Sequence, residues 1–141
     1  MNVVDTSGWL EYFADGPQAK HFAGPIENTE HLLVPSIVVY EVFKKIAVAF
    51  DENRAFQAVA QLKQDRVVDV SEAIALYAGK LSIEKKLPMA DALIYATALL
   101  HHATVYTQDQ HFEGLAQVRY FAKASAGDPC VAWGQVSILV V

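Results

Sequence analysis

Residues 1–13, Met1-Asn2-Val3-Val4-Asp5-Thr6-Ser7-Gly8-Trp9-Leu10-Glu11-Tyr12-Phe13, change character within one short stretch, and that change decides the fold class. Met1 to Val4 is an apolar run of strand length. Thr6 and Ser7 supply hydroxyls suited to capping a helix that carries Trp9, Leu10, Tyr12 and Phe13, and Asp15-Gly16-Pro17 ends it. The same alternation recurs along the chain. A helix is expected from Gln18 to about Phe22, with Gly24-Pro25 interrupting the pattern, then a strand over His31 to Val34 closed by Pro35. Ser36 is the expected N-cap of a helix through Val38, Glu41, Val42, Lys45 and Ala49. A further helix covers about Asp51 to Gln64, with Phe56, Val59, Ala60 and Leu62 at helical spacing. Val67 to Val70 reads as a strand, Ser71 as the cap of a helix striped by Ile74, Tyr77, Ala78 and Leu81, and Pro88 as the opening of a helix over Met89 to His102. Thr104 to Thr107 and Val118 to Phe121 are the last expected strands. Short apolar strands alternating with longer helices predict an α/β sandwich built on a mainly parallel sheet.

Composition bounds the rest. At 141 residues, 53% hydrophobic and 19% charged, the chain is long enough for one domain with a sizeable core, and no internal repeat or low-complexity segment divides it. The single Cys130 has no internal disulfide partner, which fits a reducing cytosol. Asp5 interrupts the N-terminus before any apolar leader develops, and Pro129 to Val141 is shorter than the roughly 20 residues a membrane-spanning helix needs, so a cytoplasmic protein with no membrane partner is expected. The net charge of −5 argues only superficially against a nucleic-acid ligand. If four acids hold cations, the remainder is 16 − 4 = 12 acidic against 11 basic groups, close to balance.

Four acids stand out. Asp5 and Asp109 fall just beyond the ends of expected strands, where open parallel sheets bind ligands. Asp91 shares a helix face with Ile94, Tyr95 and Ala98, and Glu41 shares a stripe with Ile37, Val38 and Val48. Each has a plain reading: Asp5 as a turn or cap, Asp109 as a turn acid, Asp91 as a partner of the helix dipole, and Glu41 as half of an ion pair with Lys44 or Lys45. Four such coincidences in one small domain are far less expected than one. Carboxylates gathered in a core oppose each other's ionisation unless a cation neutralises them, and an all-oxygen set favours Mg²⁺ or Mn²⁺ over Zn²⁺. Carboxylates around hard cations are a recurrent arrangement for phosphoryl transfer, which implies a phosphodiester substrate.

Val3-Val4-Asp5-Thr6-Ser7, the helix opening Ser36 to Val42, the stretch Leu87 to Ala98 around Asp91, and Thr107-Gln108-Asp109-Gln110-His111-Phe112 together resemble the four acidic motifs of PIN-domain ribonucleases, in particular VapC toxins. The resemblance spans about residues 1 to 121. It implies a PIN-like three-layer sandwich with a central mainly parallel sheet flanked by helices. It implies a catalytic quartet of Asp5, Glu41, Asp91 and Asp109, with Asp5, Asp91 and Asp109 holding one or two Mg²⁺ or Mn²⁺ ions and Glu41 positioning the attacking water. Thr6 and Thr107 match the supporting hydroxyl positions. It further implies a toxin that inhibits translation and growth by cutting RNA to leave a 3′-hydroxyl and a 5′-phosphate, a homodimer, and a cognate VapB-type antitoxin. Lys44, Lys45 and His111 are candidate RNA contacts, with solvated ion pairing the alternative for the lysines and a structural role the alternative for the histidine. Two other functions compete: a catalytically silent RNA- or antitoxin-binding module, and a phosphohydrolase with Asp5 as nucleophile, against which Ser7 stands where haloacid-type phosphatases carry a second Asp. The nuclease domain is expected over 1–126, and the apolar tail 127–141 departs from the family pattern.

Overall fold

A computed structural model describes residues 1–123, so the tail at 127–141, Cys130 and the domain boundary at 126 lie outside the described residues. Five strands, β1 (Asn2–Val4), β2 (Leu32–Pro35), β3 (Arg66–Val68), β4 (Thr104–Thr107) and β5 (Val118–Tyr120), form one sheet in the order β3-β2-β1-β4-β5. Every pairing is parallel. Among the described residues six α-helices flank it: α1 (Thr6–Phe13), α2 (Ala19–Glu27), α3 (Ser36–Ala49), α4 (Glu52–Leu62), α5 (Glu72–Lys85) and α6 (Met89–Leu100). The expected α/β sandwich with a parallel sheet is therefore present. Parallel strands must be covered on both faces, which is why β1 and β2 read as unbroken runs of buried Val and Leu rather than as alternations.

The topology fixes where a site can lie. From β1 the chain steps outward to β2 and β3, then returns to lay β4 on the other side of β1 and β5 beyond it. The strand order thus reverses between β1 and β4, and a crevice opens at their carboxyl ends. α1 leaves directly from the end of β1 and packs so closely that a Cβ on Gly8 would stand 2.6 Å from Val4 Cγ1 and 2.7 Å from Phe22 Cδ1. Trp9 and Phe13 are buried in the core beside it.

Several local expectations need correction. α2 runs through Pro25 instead of stopping before it, because burying Pro25 and Ile26 outweighs the one backbone hydrogen bond that proline forfeits. α1 is capped by the Asp5 side chain, which accepts from Gly8 N, rather than by Thr6 or Ser7. Pro35, not Ser36, occupies the N-cap position of α3. On α4 the buried face is Ala55, Ala58 and Leu62, while Phe56 is exposed and meets Phe43 of α3 at a ring distance of 4.9 Å. Val48 is also exposed, so the stripe through Glu41 does not continue inward to the end of α3.

Candidate metal centre at the strand ends

Asp5 follows β1 immediately and continues its ladder, donating its backbone N–H to the Tyr106 carbonyl at 3.1 Å. Its carboxylate is 2% exposed and accepts from Ser7 Oγ at 2.8 and 3.0 Å and from Gly8 N at 3.0 Å. Burial raises its pKa to about 6, a rise opposed by the Ser7, Gly8 and Thr107 hydrogen bonds and reinforced by the charge of Asp109. The plain reading of Asp5 as a helix cap is thus realised together with its position in the pocket, and one does not exclude the other.

Asp91 comes from the opposite direction. The Pro88 N-cap places it in the first turn of α6, where its side chain is buried. Its pKa is raised to about 7, first by burial, then by the charges of Asp109 and Asp5, with His111 lowering it and Glu41 adding a further rise. One carboxylate therefore feels the other three acids at once. Asp5, Glu41, Asp91 and Asp109, from four separate segments, are thus brought near one another around the carboxyl ends of β1 and β4.

The neighbouring side chains hold this arrangement. Thr6 Oγ1 donates to Glu41 Oε1 at 2.6 Å, joining the start of α1 to α3. Thr107 is fully buried; its hydroxyl bonds the Asp5 carboxylate and accepts from Asp109 N at 2.9 Å. Asp109 caps the short 3₁₀ turn Gln110–Phe112 by accepting from His111 N at 2.9 Å. That turn brings His111 Nδ1 to 2.9 Å from Asp109 Oδ1 and 3.0 Å from Asp91 Oδ2. Oxygen atoms of Asp91 and Asp109 and a ring nitrogen of His111 lie within 4.8 Å of one another, a spacing that one cation can span. The donor set fits a divalent ion, since buried Asp5 and Asp91 are poised against ionisation and only added positive charge relieves both.

Lys44 and Lys45 are not drawn in. Both are exposed on α3, Lys44 lies over the Tyr40 ring at 5.8 Å, and neither forms an ion pair with Glu41. Sequence reasoning missed Ser7 and Gln108 as neighbours of the pocket. Gln108 donates its backbone N–H to Ser7 Oγ at 3.3 Å across 101 residues, and its buried Oε1 has no hydrogen-bond partner. Only the direct succession of both residues to predicted site acids and hydroxyls pointed towards them.

Comparison with known proteins places these features in context. The PIN domain family matches residues 3–118. Among curated proteins, the VapC ribonuclease Mb1587 of Mycobacterium bovis is 27% identical over 135 residues, covering 89% of this chain and 98% of its own length. Ribonuclease VapC11 of Mycobacterium tuberculosis matches with the same figures. Among solved structures, a toxin–antitoxin complex from Klebsiella pneumoniae superposes with a TM-score of 0.71 at 24% identity, covering 87% of this chain and 100% of that one. DNA-bound VapBC from Salmonella typhimurium gives 0.67 at 17% identity over 86% and 98% of the two chains. These likenesses extend the shared fold across nearly the whole described chain. No described helix is long and apolar enough to cross a membrane.

Proposed function

The chain belongs to the PIN-domain family, and from that premise we propose that it is a divalent-metal-dependent endoribonuclease, the toxin of a toxin–antitoxin pair. The observation that carries the reading is the convergence of four carboxylates on one pocket, with the Asp91 pKa raised to about 7 by burial and by its acidic neighbours. Such a cluster costs stability unless a cation neutralises it, and carboxyl groups perturbed in this way gather at functional sites. Asp5, Asp91 and Asp109 hold the cation, Mg²⁺ or Mn²⁺. When bound, that ion supplies Lewis acidity for phosphodiester hydrolysis and the positive charge that lets these acids ionise together.

The protein's own groups divide the remaining work. Glu41, fixed by Thr6, orients the attacking water and accepts its proton. Thr107 holds Asp5 and the backbone of Asp109 in register, and His111 offers a nitrogen donor between Asp91 and Asp109. Cleavage leaves a 3′-hydroxyl and a 5′-phosphate. Ser7 argues against the phosphohydrolase reading, because it stands where that chemistry needs a second Asp as acid and base, and its hydroxyl only hydrogen-bonds the Asp5 carboxylate. Relatives named as VapC ribonucleases, and fold neighbours solved as toxin–antitoxin and VapBC complexes, support a VapB-type antitoxin as partner, and the resemblance to that family extends the proposal to a homodimer. Inhibition of translation follows if the RNA cut belongs to the translation machinery.

Asp5→Asn and Asp91→Asn test the proposal. Each should lower Mn²⁺- or Mg²⁺-dependent RNA cleavage by about a hundredfold or more while circular dichroism shows the fold retained. Undiminished cleavage by either variant refutes the assignment.

A further inference from the structure

One strand over from the acidic cluster, a cleft of about 420 Å³ is lined by residues of α2, β4, β5 and the segment after β5. Its floor is aromatic. Phe121 stacks on His21 with ring centroids 4.3 Å apart and planes 7° from parallel, and Tyr106 continues the surface 6.5 Å from Phe121 at 22°. All three rings are half-buried; His21 and Phe121 cover each other's facing sides, so the area left open lies at the ring edges and at the outer end of the stack. The rim is cationic. Arg119 pairs with Tyr106 across the sheet and lies over its ring at 5.8 Å, and Lys20 stands on the facing turn of α2. Both are exposed, and among the described residues neither forms an ion pair and no carboxylate lines the cleft.

Two unneutralised cations beside a run of aromatic rings are unexpected on a chain whose net charge is −5. Solvated surface cations in such a chain ordinarily find acids nearby. We propose that this cleft binds single-stranded RNA, with an unpaired base extending the His21–Phe121–Tyr106 stack at its open end and phosphates meeting Arg119 and Lys20. Stacking platforms flanked by cations accept single strands of any sequence, whereas a duplex keeps its base faces covered. The inference rests on the ribonuclease reading for its purpose: the cleft holds the strand next to the nucleotide being cut. Continuity with the pocket supports it, since Phe121 N donates to the Thr107 carbonyl at 2.9 Å while the Thr107 hydroxyl bonds Asp5.

The test is fluorescence anisotropy with a short labelled oligouridylate, on the full chain in EDTA, so that cleavage and cation binding play no part. Arg119→Glu and Lys20→Glu, both surface changes, should each weaken binding about tenfold and lower the salt dependence by about one released counterion or more. Phe121→Ala should weaken it by about tenfold, with a thermal melt to confirm folding because Phe121 also packs edge-on against Phe22. Lys80→Glu, on α5 and outside the lining of the cleft, should change nothing. Asp91→Asn should bind like the unaltered chain, so loss of cleavage with retained binding bears on the pocket and leaves the cleft standing. If both charge reversals bind the oligonucleotide with unchanged affinity, the proposal is overturned. The same holds if they abolish self-association instead, which would assign the cleft to a second copy.

Discussion

Thr6 Oγ1 lies 2.6 Å from Oε1 of Glu41, a hydrogen bond between residues 35 apart in sequence that ties the first turn of α1 to α3. Thr6 is itself fixed by its place directly after Asp5, so the position of one pocket acid is transmitted to another through a single hydroxyl. A bond of this kind to a charged acceptor contributes about 1.5–3 kcal/mol, and groups that orient a metal site typically change affinity or activity by about 10–100-fold. Thr6→Val keeps the shape and removes the donor. RNA cleavage should fall within that range, the melting temperature should drop by about 5–10 °C while the fold is retained, and Thr6→Ser should restore most of both. A Thr6→Val enzyme with full activity would show that Glu41 needs no such anchor.

The two raised carboxyl groups make stability depend on pH. Asp5 and Asp91 titrate at about 6 and about 7 in the folded chain against an ordinary value of 3.8, because burial disfavours their charged forms. Their contribution is fully present below the ordinary value and is lost as pH rises through 6 to 7. In EDTA, Asp91→Asn should therefore melt close to the parent at pH 4 and a few degrees above it at pH 8, a gain of about 1–2 kcal/mol after allowance for solvent screening. Saturating Mn²⁺ should reverse the order at pH 8. Parallel melting profiles for the two proteins across this window would contradict the strained pocket.

Much of this was readable from the chain because each signal was local. A run such as Val3-Val4 followed by Asp5, or Pro88 followed by Asp91, fixes both an element boundary and the acid that leaves it, whatever the rest of the molecule does. What escaped depends on partners far away in sequence. Asp5, Thr6 and Ser7 are all competent caps, and Asp5 prevails because Gly8 is drawn tightly against Val4 and Phe22. Phe56 satisfies helical spacing yet faces outward, since the packing of α4 on α3 selects the smaller Ala55 and Ala58 for burial. The placement of His111 between two acids required the turn at Gln110 to Phe112 and the docking of α6, and no pattern within one segment encodes that.

Gly8 and Gly79 should respond oppositely to the same change. A methyl at Gly8 meets Val4 Cγ1 at 2.6 Å and the Phe22 ring at 2.7 Å, both fully buried, so something in the core must shift. Overpacking of this kind costs about 1–3 kcal/mol. It would also disturb the 3.0 Å bond from Gly8 N to Asp5. Gly79 lies inside α5 with open space where its Cβ would point, so alanine there should stabilise by about 0.5–1 kcal/mol. Urea midpoints of Gly8→Ala and Gly79→Ala check both signs, and a neutral Gly8→Ala would refute the close packing of α1 on β1.

His111 can serve the pocket in two ways that removal separates. With Nδ1 at 2.9 Å from Asp109 and 3.0 Å from Asp91, it either joins them in holding the ion or occupies the ion's place as a competing cation. A nitrogen donor suits Mn²⁺ better than Mg²⁺, which prefers oxygen and water. If His111 is a ligand, calorimetry on His111→Ala should show Mn²⁺ affinity falling about tenfold and Mg²⁺ affinity changing much less. If it is a competitor, both affinities should rise together, because the acids lose a counter-charge and gain nothing in exchange. The clustering of the three ligand atoms within 4.8 Å favours the first outcome. Equal tightening of both ions would assign His111 to holding the empty pocket together.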